Sequence, residues 1–168
     1  ERVFMNSNND NNRFSLTRFA NVAHSSGSVL PFWLRLKKER KPIKLTDSNM
    51  NRLIFTQDDA ANLIDRAISW TSQHTGGFIK SYKMKCVNML DLAKAISDDI
   101  EIVGARPGEK TDEDLISRNE IERTYIYGDD IHIRMDKNPD MNKLDAPYNS
   151  KRAEKMTSSE IKELIAWN

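Results

Sequence analysis

Two short segments of the sequence, both predicted to be loops, combine fixed positive charge with small or turn-forming residues. One is Asn51-Arg52, and the other is residues 106–110, Arg-Pro-Gly-Glu-Lys. A planar guanidinium presents paired N–H donors that match phosphate oxygens, so both segments could hold a diphosphate. An arginine in an exposed loop is more often a plain surface charge, and the residue types alone leave both interpretations open.

Other catalytic signatures are missing from the sequence. The six glycines are never spaced as G-x-G-x-x-G, and none of the four tyrosines has a lysine four residues further on, so neither a dinucleotide turn nor a Tyr/Lys proton-transfer pair is predicted. The three histidines stand far apart without metal-ligand spacing, which argues against zinc. Cys86 is predicted to be a small buried or half-buried side chain rather than a nucleophile.

The composition is that of an ordinary globular domain. The 168 residues are 38% hydrophobic and 30% charged, and the net charge is +1, so no overall field indicates nucleic acid or an anionic membrane as the main partner. The longest apolar run, residues 29–34, is too short to span a bilayer, and a single cysteine suits a reducing cytoplasm. The basic run 35–44 is interpreted as a solvated helix face, and the acidic residues 112–114 as the first turn of a helix.

Alternating strand and helix patterns predict an α/β architecture. Helices are predicted at residues 28–40, from Thr56 to the Gly76-Gly77 pair, after Asn88 and after Thr157. Short strands are predicted at residues 14–19, 43–45, 53–55, 78–82 and 100–103. An acidic helix is predicted from Thr111 to about Arg123, and a loop at residues 134–156. The opening residues 1–5 are typical of a helix end without an N-cap, so we expect the chain to be part of a longer protein.

Several motifs in consistent order resemble one family. Residues 18–22 (Arg-Phe-Ala-Asn-Val) and 26–32 (Ser-Gly-Ser-Val-Leu-Pro-Phe) resemble R-Y-G-N-V and R-G-S-V-[IV]-P-F, and residues 102–110 resemble I-x-G-I-R-P-G-E-K. Further similar segments lie at residues 43–47, 50–53, 91–95, 148–150 and 157–161. Over nearly its whole length the chain resembles the UDP-N-acetylglucosamine 4,6-dehydratase and polysaccharide-biosynthesis branch of the extended short-chain dehydrogenases.

The resemblance implies a fold in which residues 1–168 form one C-terminal, substrate-binding portion. Residues 1–27 would be the end of a Rossmann-like sheet, followed by a small α/β lobe, and the N-terminal cofactor half would be absent from this chain. The full-length parent would be a cytoplasmic, NAD(P)-dependent UDP-sugar 4,6-dehydratase for surface polysaccharide or glycan precursors. In such enzymes a hydride leaves C4, water is eliminated across C5 and C6, and the hydride returns to C6. This chain alone is expected to bind no cofactor and to be inactive.

The same resemblance assigns four substrate-binding residues and no catalytic or metal-binding ones. Asn21 matches a family asparagine suited to donate its amide to the sugar or the diphosphate. Arg52 and Arg106 match arginines suited to the diphosphate. Glu109 matches a glutamate suited to the ribose hydroxyls. The implied partners are the nucleotide sugar and the missing N-terminal half, with a homo-oligomer left open.

Three positions depart from the family motifs. Ala20 replaces a glycine, Ser26 replaces an arginine and Asp112 replaces a histidine, and the last two changes remove positive charge near the expected diphosphate. Two other functions therefore stay open. One is a non-catalytic truncated relative that binds a nucleotide sugar or a partner protein, and the other is a nucleotide-sugar epimerase or reductase of the same superfamily.

Overall fold

The computed structural model describes residues 1–9, 11–74, 76–135 and 142–167. The helices are α1 (Arg2–Asn6), α2 (Val29–Lys38), α3 (Gln57–Gln73), α4 (Met89–Ile96) and α5 (Ser158–Ala166), with a 3₁₀ helix at Arg118–Arg123. The strands are β1 (Ser15–Thr17), β2 (Asn21–Val22), β3 (Ile43–Leu45), β4 (Asn51–Phe55), β5 (Phe78–Tyr82), β6 (Cys86–Asn88), β7 (Ile100–Ile102), β8 (Asp114–Ile116), β9 (Thr124–Tyr127), β10 (Asp130–Arg134) and β11 (Tyr148–Asn149). This is a mixed α/β chain, as predicted.

The chain groups into two compact units. The first unit comprises Glu1–Phe19, Asp58–Lys83 and Leu115–Tyr148, and the second comprises Ala20–Gln57, Met84–Asp114 and Asn149–Asn168. The boundary that the family resemblance predicts near residue 27, and the assignment of the whole chain to one C-terminal portion, remain predictions.

The first unit contains a four-stranded sheet with the order β1-β5-β10-β9. β1 runs parallel to β5, whereas β10 is antiparallel to both of its neighbours. A two-residue turn joins β9 to β10, and Gly128 has a φ of +59° there. Such tight hairpins need left-handed backbone, which glycine adopts without a steric penalty. Phe78, Ile131 and Ile133 are fully buried in this sheet.

From Asp58 onward, helix α3 belongs to the first unit, and it buries one side only. Leu63 and Ala67, four residues apart, are buried, whereas Ile64 and Ile68 are 43% and 62% exposed. The apolar spacing predicted the helix correctly. It did not separate the buried face from the exposed one, because isoleucines lie on the outer side as well.

The second unit contains a three-stranded sheet, β2-β4-β6, and a separate parallel pair, β3-β7. β2 is parallel to β4, and β6 is antiparallel to it. Helices α2, α4 and α5 supply most of the remaining core, in which Leu30, Trp33 and Leu92 are at most 2% exposed. Cys86 is fully buried, as predicted, and burial raises the pKa of its thiol.

Two of the predicted helix starts in the second unit show the expected caps. The Asn88 side chain accepts hydrogen bonds from the N–H groups of Leu90 and Asp91. Thr157 and Glu160 form a reciprocal capping box at the start of α5. Each cap satisfies N–H groups that have no partner within the helix.

The predicted acidic helix from Thr111 to Arg123 is wrong. β8 and the 3₁₀ helix occupy this stretch, and the latter begins with a capping box between Ser117 and Glu120. The expected first turn is held by long-range contacts instead, because Thr111 O accepts from the backbone N–H of Asn51 and Asp112 accepts from Asn51 Nδ2. These bonds hold the backbone in a non-helical path.

The predicted loop at residues 134–156 includes residues 136–141, which lie outside the described residues. Elsewhere in that stretch β11 pairs with β8. None of the described helices is both long enough and apolar enough to cross a membrane.

Candidate functional site

The second unit holds a cavity of about 680 Å³. All four residues predicted to bind substrate line it: Asn21, Arg52, Arg106 and Glu109. They come from positions up to 88 residues apart in the sequence. The cavity therefore brings together the complete predicted set, although their role as ligands remains a prediction.

Strand pairing explains how Asn21 and Arg52 meet. Asn21 begins β2 and pairs with Ile54 of β4, two residues beyond Arg52. Arg52 and Ile54 both line the cavity, whereas Leu53 between them does not. This is the alternation of a strand, in which successive side chains point to opposite faces. Arg52 therefore lies within β4, and the prediction that it sits in a loop is wrong.

Glu113 holds Arg52 and Asn21 together. Its Oε1 lies 3.3 Å from Arg52 Nε, and its Oε2 accepts a hydrogen bond of 3.0 Å from Asn21 Nδ2. Arg52 Nη1 also donates to the carbonyls of Asn51 and Thr111. With 12% of its side chain exposed, Arg52 is a positioned cation whose orientation is set before any ligand arrives.

Arg106 and Glu109 form a tight turn around Gly108, which has a φ of +83°. The Arg106 N–H donates to Glu109 Oε2 over 3.1 Å, and Glu109 N–H donates to Arg106 O. Among the described residues, the Arg106 guanidinium makes no hydrogen bond or ion pair. Glu109 therefore shapes the turn, and the guanidinium keeps its donors available for a ligand.

Two further features of the cavity were not predicted. Lys44 lines it and makes no ion pair with any described residue, although the basic run to which it belongs was interpreted as a solvated helix face. Ser28 is the N-cap of α2, and its buried Oγ has no hydrogen-bond partner in the described part of the chain. In β3, Ile43 and Leu45 are buried and Lys44 is exposed. The apolar-polar-apolar alternation of these three residues was the sequence feature that could have placed Lys44 on the open face of the strand.

The electrostatics of the cavity favour an anion. Lys44, Arg52 and Arg106 line it, against Glu109 alone among the lining carboxylates. The first turn of α2 also contributes to its wall, and a helix N-terminus carries partial positive charge and free N–H groups. A phosphorylated ligand would meet complementary charge from several directions.

The described glycines do not form the glycine-rich turn that binds a dinucleotide. A pyrophosphate-binding turn requires closely spaced glycines between a strand and a helix. Gly27 stands alone between β2 and α2, whereas Gly76 and Gly77 precede β5 and Gly104 and Gly108 lie between β7 and β8. Within the described residues, no group of three His, Cys, Asp or Glu side chains could hold a metal ion either.

Comparison with known proteins gives a family. A family model described as polysaccharide biosynthesis protein matches residues 1–135. A UDP-N-acetylglucosamine 4,6-dehydratase (inverting) of Campylobacter jejuni is 33% identical over 134 residues, covering 76% of this chain and 39% of that protein. A UDP-glucose 4-epimerase of Rickettsia canadensis is 30% identical over 168 residues, covering 89% of this chain and 48% of that protein.

The fold matches part of a solved structure. The X-ray structure of Pen from Bacillus thuringiensis has a TM-score of 0.82 and 26% sequence identity to this chain, covering 98% of this chain and 53% of that one. The chain thus spans about half or less of the length of these relatives. It belongs to the polysaccharide biosynthesis protein family and is distantly related to UDP-N-acetylglucosamine 4,6-dehydratases and UDP-glucose 4-epimerases.

Proposed function

We propose that this chain is the nucleotide-sugar-binding portion of a UDP-sugar 4,6-dehydratase of the extended short-chain dehydrogenase type. The observation that carries the proposal is the single cavity lined by Asn21, Arg52, Arg106 and Glu109. The parent enzyme would use NAD(P), held by residues outside this chain, to make a precursor of a surface polysaccharide. The relationship to a 4,6-dehydratase of Campylobacter jejuni supports this choice.

The diphosphate is assigned to Arg52 and Arg106. A diphosphate carries two adjacent anionic groups, and a guanidinium meets each with two parallel N–H donors. Arg52 is already oriented by Glu113 and two carbonyls, so little side-chain entropy remains to be lost on binding. Glu113 partly neutralises the positive charge of Arg52. Arg106 has no ion-pair partner among the described residues, so its full positive charge is available to the diphosphate.

Asn21 and Glu109 are assigned to the neutral parts of the ligand. The Asn21 amide already donates to Leu53 O and Glu113, which leaves its carbonyl oxygen to accept from a sugar hydroxyl. The Glu109 carboxylate has spare acceptor capacity beyond its contacts with Arg106 N–H and Thr46 Oγ. Ribose hydroxyls are donors that suit it.

Calorimetry on the 168-residue chain tests the site. We expect UDP-N-acetylglucosamine and UDP to bind, and uridine to bind far more weakly because it lacks the diphosphate. Arg106→Ala should weaken UDP roughly 30-fold or more and leave uridine unchanged. Arg152→Ala removes an exposed cation that does not line the cavity and is the matched control. Equal affinity for UDP and uridine, or equal losses in both variants, would reject the diphosphate site.

The isolated chain should turn over no UDP-sugar, even with added NAD(P). The reason is that the described glycines build no dinucleotide turn and the sequence has no Tyr/Lys pair at the expected spacing. The measurement is product analysis by mass spectrometry after prolonged incubation. A 4-keto-6-deoxy product formed by the purified chain contradicts this expectation.

A nucleotide-sugar epimerase is the second candidate. The epimerase of Rickettsia canadensis aligns with 89% of this chain, more than the dehydratase does, which supports it specifically. Both functions require the same diphosphate site, so binding studies do not separate them. Product analysis of the full-length parent does, because an epimerase inverts a hydroxyl and releases no water.

A further inference from the structure

The last turn of α2 and the turn after it form a strongly cationic surface. Its five cations lie within seven residues and are all exposed: Arg35, Lys37, Lys38, Arg40 and Lys41. We call this set the basic surface. Only Glu39 opposes it locally, and Glu39 pairs with Lys41 over 2.8 Å.

Most of this charge has no partner within the protein. Lys37, Lys38 and Arg40 make no ion pair with any described residue. Arg35 lies over the ring of Phe32 at 5.4 Å from its centroid, which leaves its charge exposed to solvent. The rest of the chain holds more acidic than basic side chains, so the near-neutral total conceals a local excess of positive charge. Such asymmetry is a binding feature rather than a folding one.

The opposite face of α2 is buried in the core of the second unit. Leu30 and Trp33 are at most 2% exposed, so the helix is anchored and its cations project outward from a rigid support. Pro31 and Phe32 are exposed on the same helix, and Phe32 has 41% of its surface accessible. Lysine and arginine clusters on an amphipathic helix, with an exposed aromatic ring beside them, are typical of surfaces that bind anionic lipid headgroups.

We propose that the basic surface docks the protein on an anionic membrane surface. The described part of the chain would contact the bilayer surface through these cations. The first turn of α2 lines the cavity and its last turn carries the cations, so docking would hold the cavity close to the membrane surface. A nucleic acid is the less favoured partner, because an extended polyanion would also meet the acidic remainder of the chain.

Vesicle sedimentation tests this proposal with the 168-residue chain. We expect binding to vesicles of phosphatidylcholine mixed with phosphatidylglycerol, no binding to phosphatidylcholine alone, and loss of binding in high salt. The variant Lys37→Gln/Lys38→Gln/Arg40→Gln should bind roughly 100-fold more weakly, because each cation near a charged bilayer contributes about fivefold. The matched control is Lys151→Gln/Arg152→Gln/Lys155→Gln, which removes three exposed cations elsewhere in the second unit and should lose less than threefold.

Circular dichroism must show that both triple variants melt like the parent chain. Equal losses in both variants would overturn the proposal, as would binding that ignores lipid charge. So would a preference for a DNA duplex over the vesicles at matched anionic charge, measured by competition. None of the three substituted residues of the basic surface lines the cavity, so UDP affinity should stay unchanged and the outcome is independent of the nucleotide-sugar site.

Discussion

A buried, paired lysine in the first unit contrasts with two unpaired cations that line the cavity of the second unit. In the first unit, Lys80 is 2% exposed, and its ammonium lies 2.7 Å from Asp130 Oδ2 and 2.8 Å from His132 Nε2. In the second unit, Arg106 and Lys44 line an open cavity and have no charged partner among the described residues. Taking a charge out of water costs several kcal/mol unless a partner replaces the water, so the buried lysine must be paired and the exposed cations need not be. The first arrangement serves stability and the second leaves charge available to a ligand.

His132 shows how strongly the first unit constrains its charges. The ring is fully buried and stacks on Phe78. Burial, followed by the charge of Lys80, lowers the pKa of His132 to about 3. The ring is therefore neutral at pH 7 and accepts the Lys80 hydrogen bond through Nε2. Protonation would place two cations side by side in the core.

The largest expected effect comes from breaking the buried pair. Asp130→Asn leaves Lys80 without its counter-charge and should destabilise the first unit by roughly 3 to 5 kcal/mol. Urea unfolding followed by tryptophan fluorescence measures it, because Trp70 lies over Lys80. Asp129→Asn alters the exposed neighbouring carboxylate and should change stability by less than about 0.5 kcal/mol. Similar losses in the two variants would show that Lys80 is not held by Asp130.

Acid should weaken the first unit through His132. Unfolded His132 takes up a proton near pH 6.5 while the folded protein resists until about pH 3, so the unfolded state binds more protons over this window. Stability is therefore full above pH 6.5 and should fall by roughly 4 kcal/mol toward pH 3. His132→Gln keeps an acceptor for Lys80 and removes the titration, so its unfolding free energy should vary less over that window. An unchanged pH slope in this variant contradicts the assignment.

The cavity arginines should separate binding from stability. Arg52→Ala should lower both nucleotide-sugar affinity and the stability of the second unit, because Arg52 bonds to Glu113 and two carbonyls. Arg106→Ala should lower affinity by roughly 2 to 4 kcal/mol and leave stability unchanged. In the full-length enzyme KM should rise with kcat nearly constant, since the diphosphate is bound alike in the ground and transition states.

Lysine substitutions refine this comparison. Arg52→Lys and Arg106→Lys should recover only part of the affinity, because the charge returns without the planar pair of donors. Steady-state kinetics across the four variants measures the difference, with Arg152→Ala as the control. A loss of stability in Arg106→Ala equal to that in Arg52→Ala would mean that Arg106 is a structural residue.

The smallest expected effect comes from removing a helix cap in the second unit, which should lower stability and leave the cavity unchanged. Thr157→Ala removes the side-chain cap of α5 and should cost about 1 kcal/mol. Ser158→Ala, at the next exposed position, keeps the cap and should be near neutral. Thermal unfolding measures both, and UDP affinity should match the parent in each. Weaker UDP binding in Thr157→Ala alone would link α5 to the cavity.

Local patterns predicted those elements whose determinants are local. The capping signals at Asn88 and Thr157 start helices α4 and α5 as expected, and the apolar spacing of residues 28–40 matches α2. The same reasoning failed for Thr111 to Arg123, because the acidic residues there are held by partners far away in the sequence. Asp112, for example, accepts hydrogen bonds from Asn51 and Ser150.

The candidate site shows the same division. Motif resemblance selected Asn21, Arg52, Arg106 and Glu109, and the structure places all four at one cavity. Resemblance did not indicate that Glu113 connects Asn21 to Arg52, since that contact depends on a carboxylate more than 60 residues away in sequence. The resemblance also did not indicate that Lys44 lines the cavity. It does so because side chains alternate between the two faces of β3.

The sequence by itself determined helices α2 to α5, some of the strands, the family and the residue types that could bind a phosphate. These follow from periodicity, capping residues and motif spacing, which are properties of neighbouring positions. Only the tertiary structure decided which charges are paired. Lys80 and Arg106 have the same formal charge, but the central strand β5 buries one beside Asp130 and the turn at Gly108 leaves the other in a cavity. The physical reason is that the free energy of a charge depends on its solvation and its partners, and both are set by distant parts of the chain.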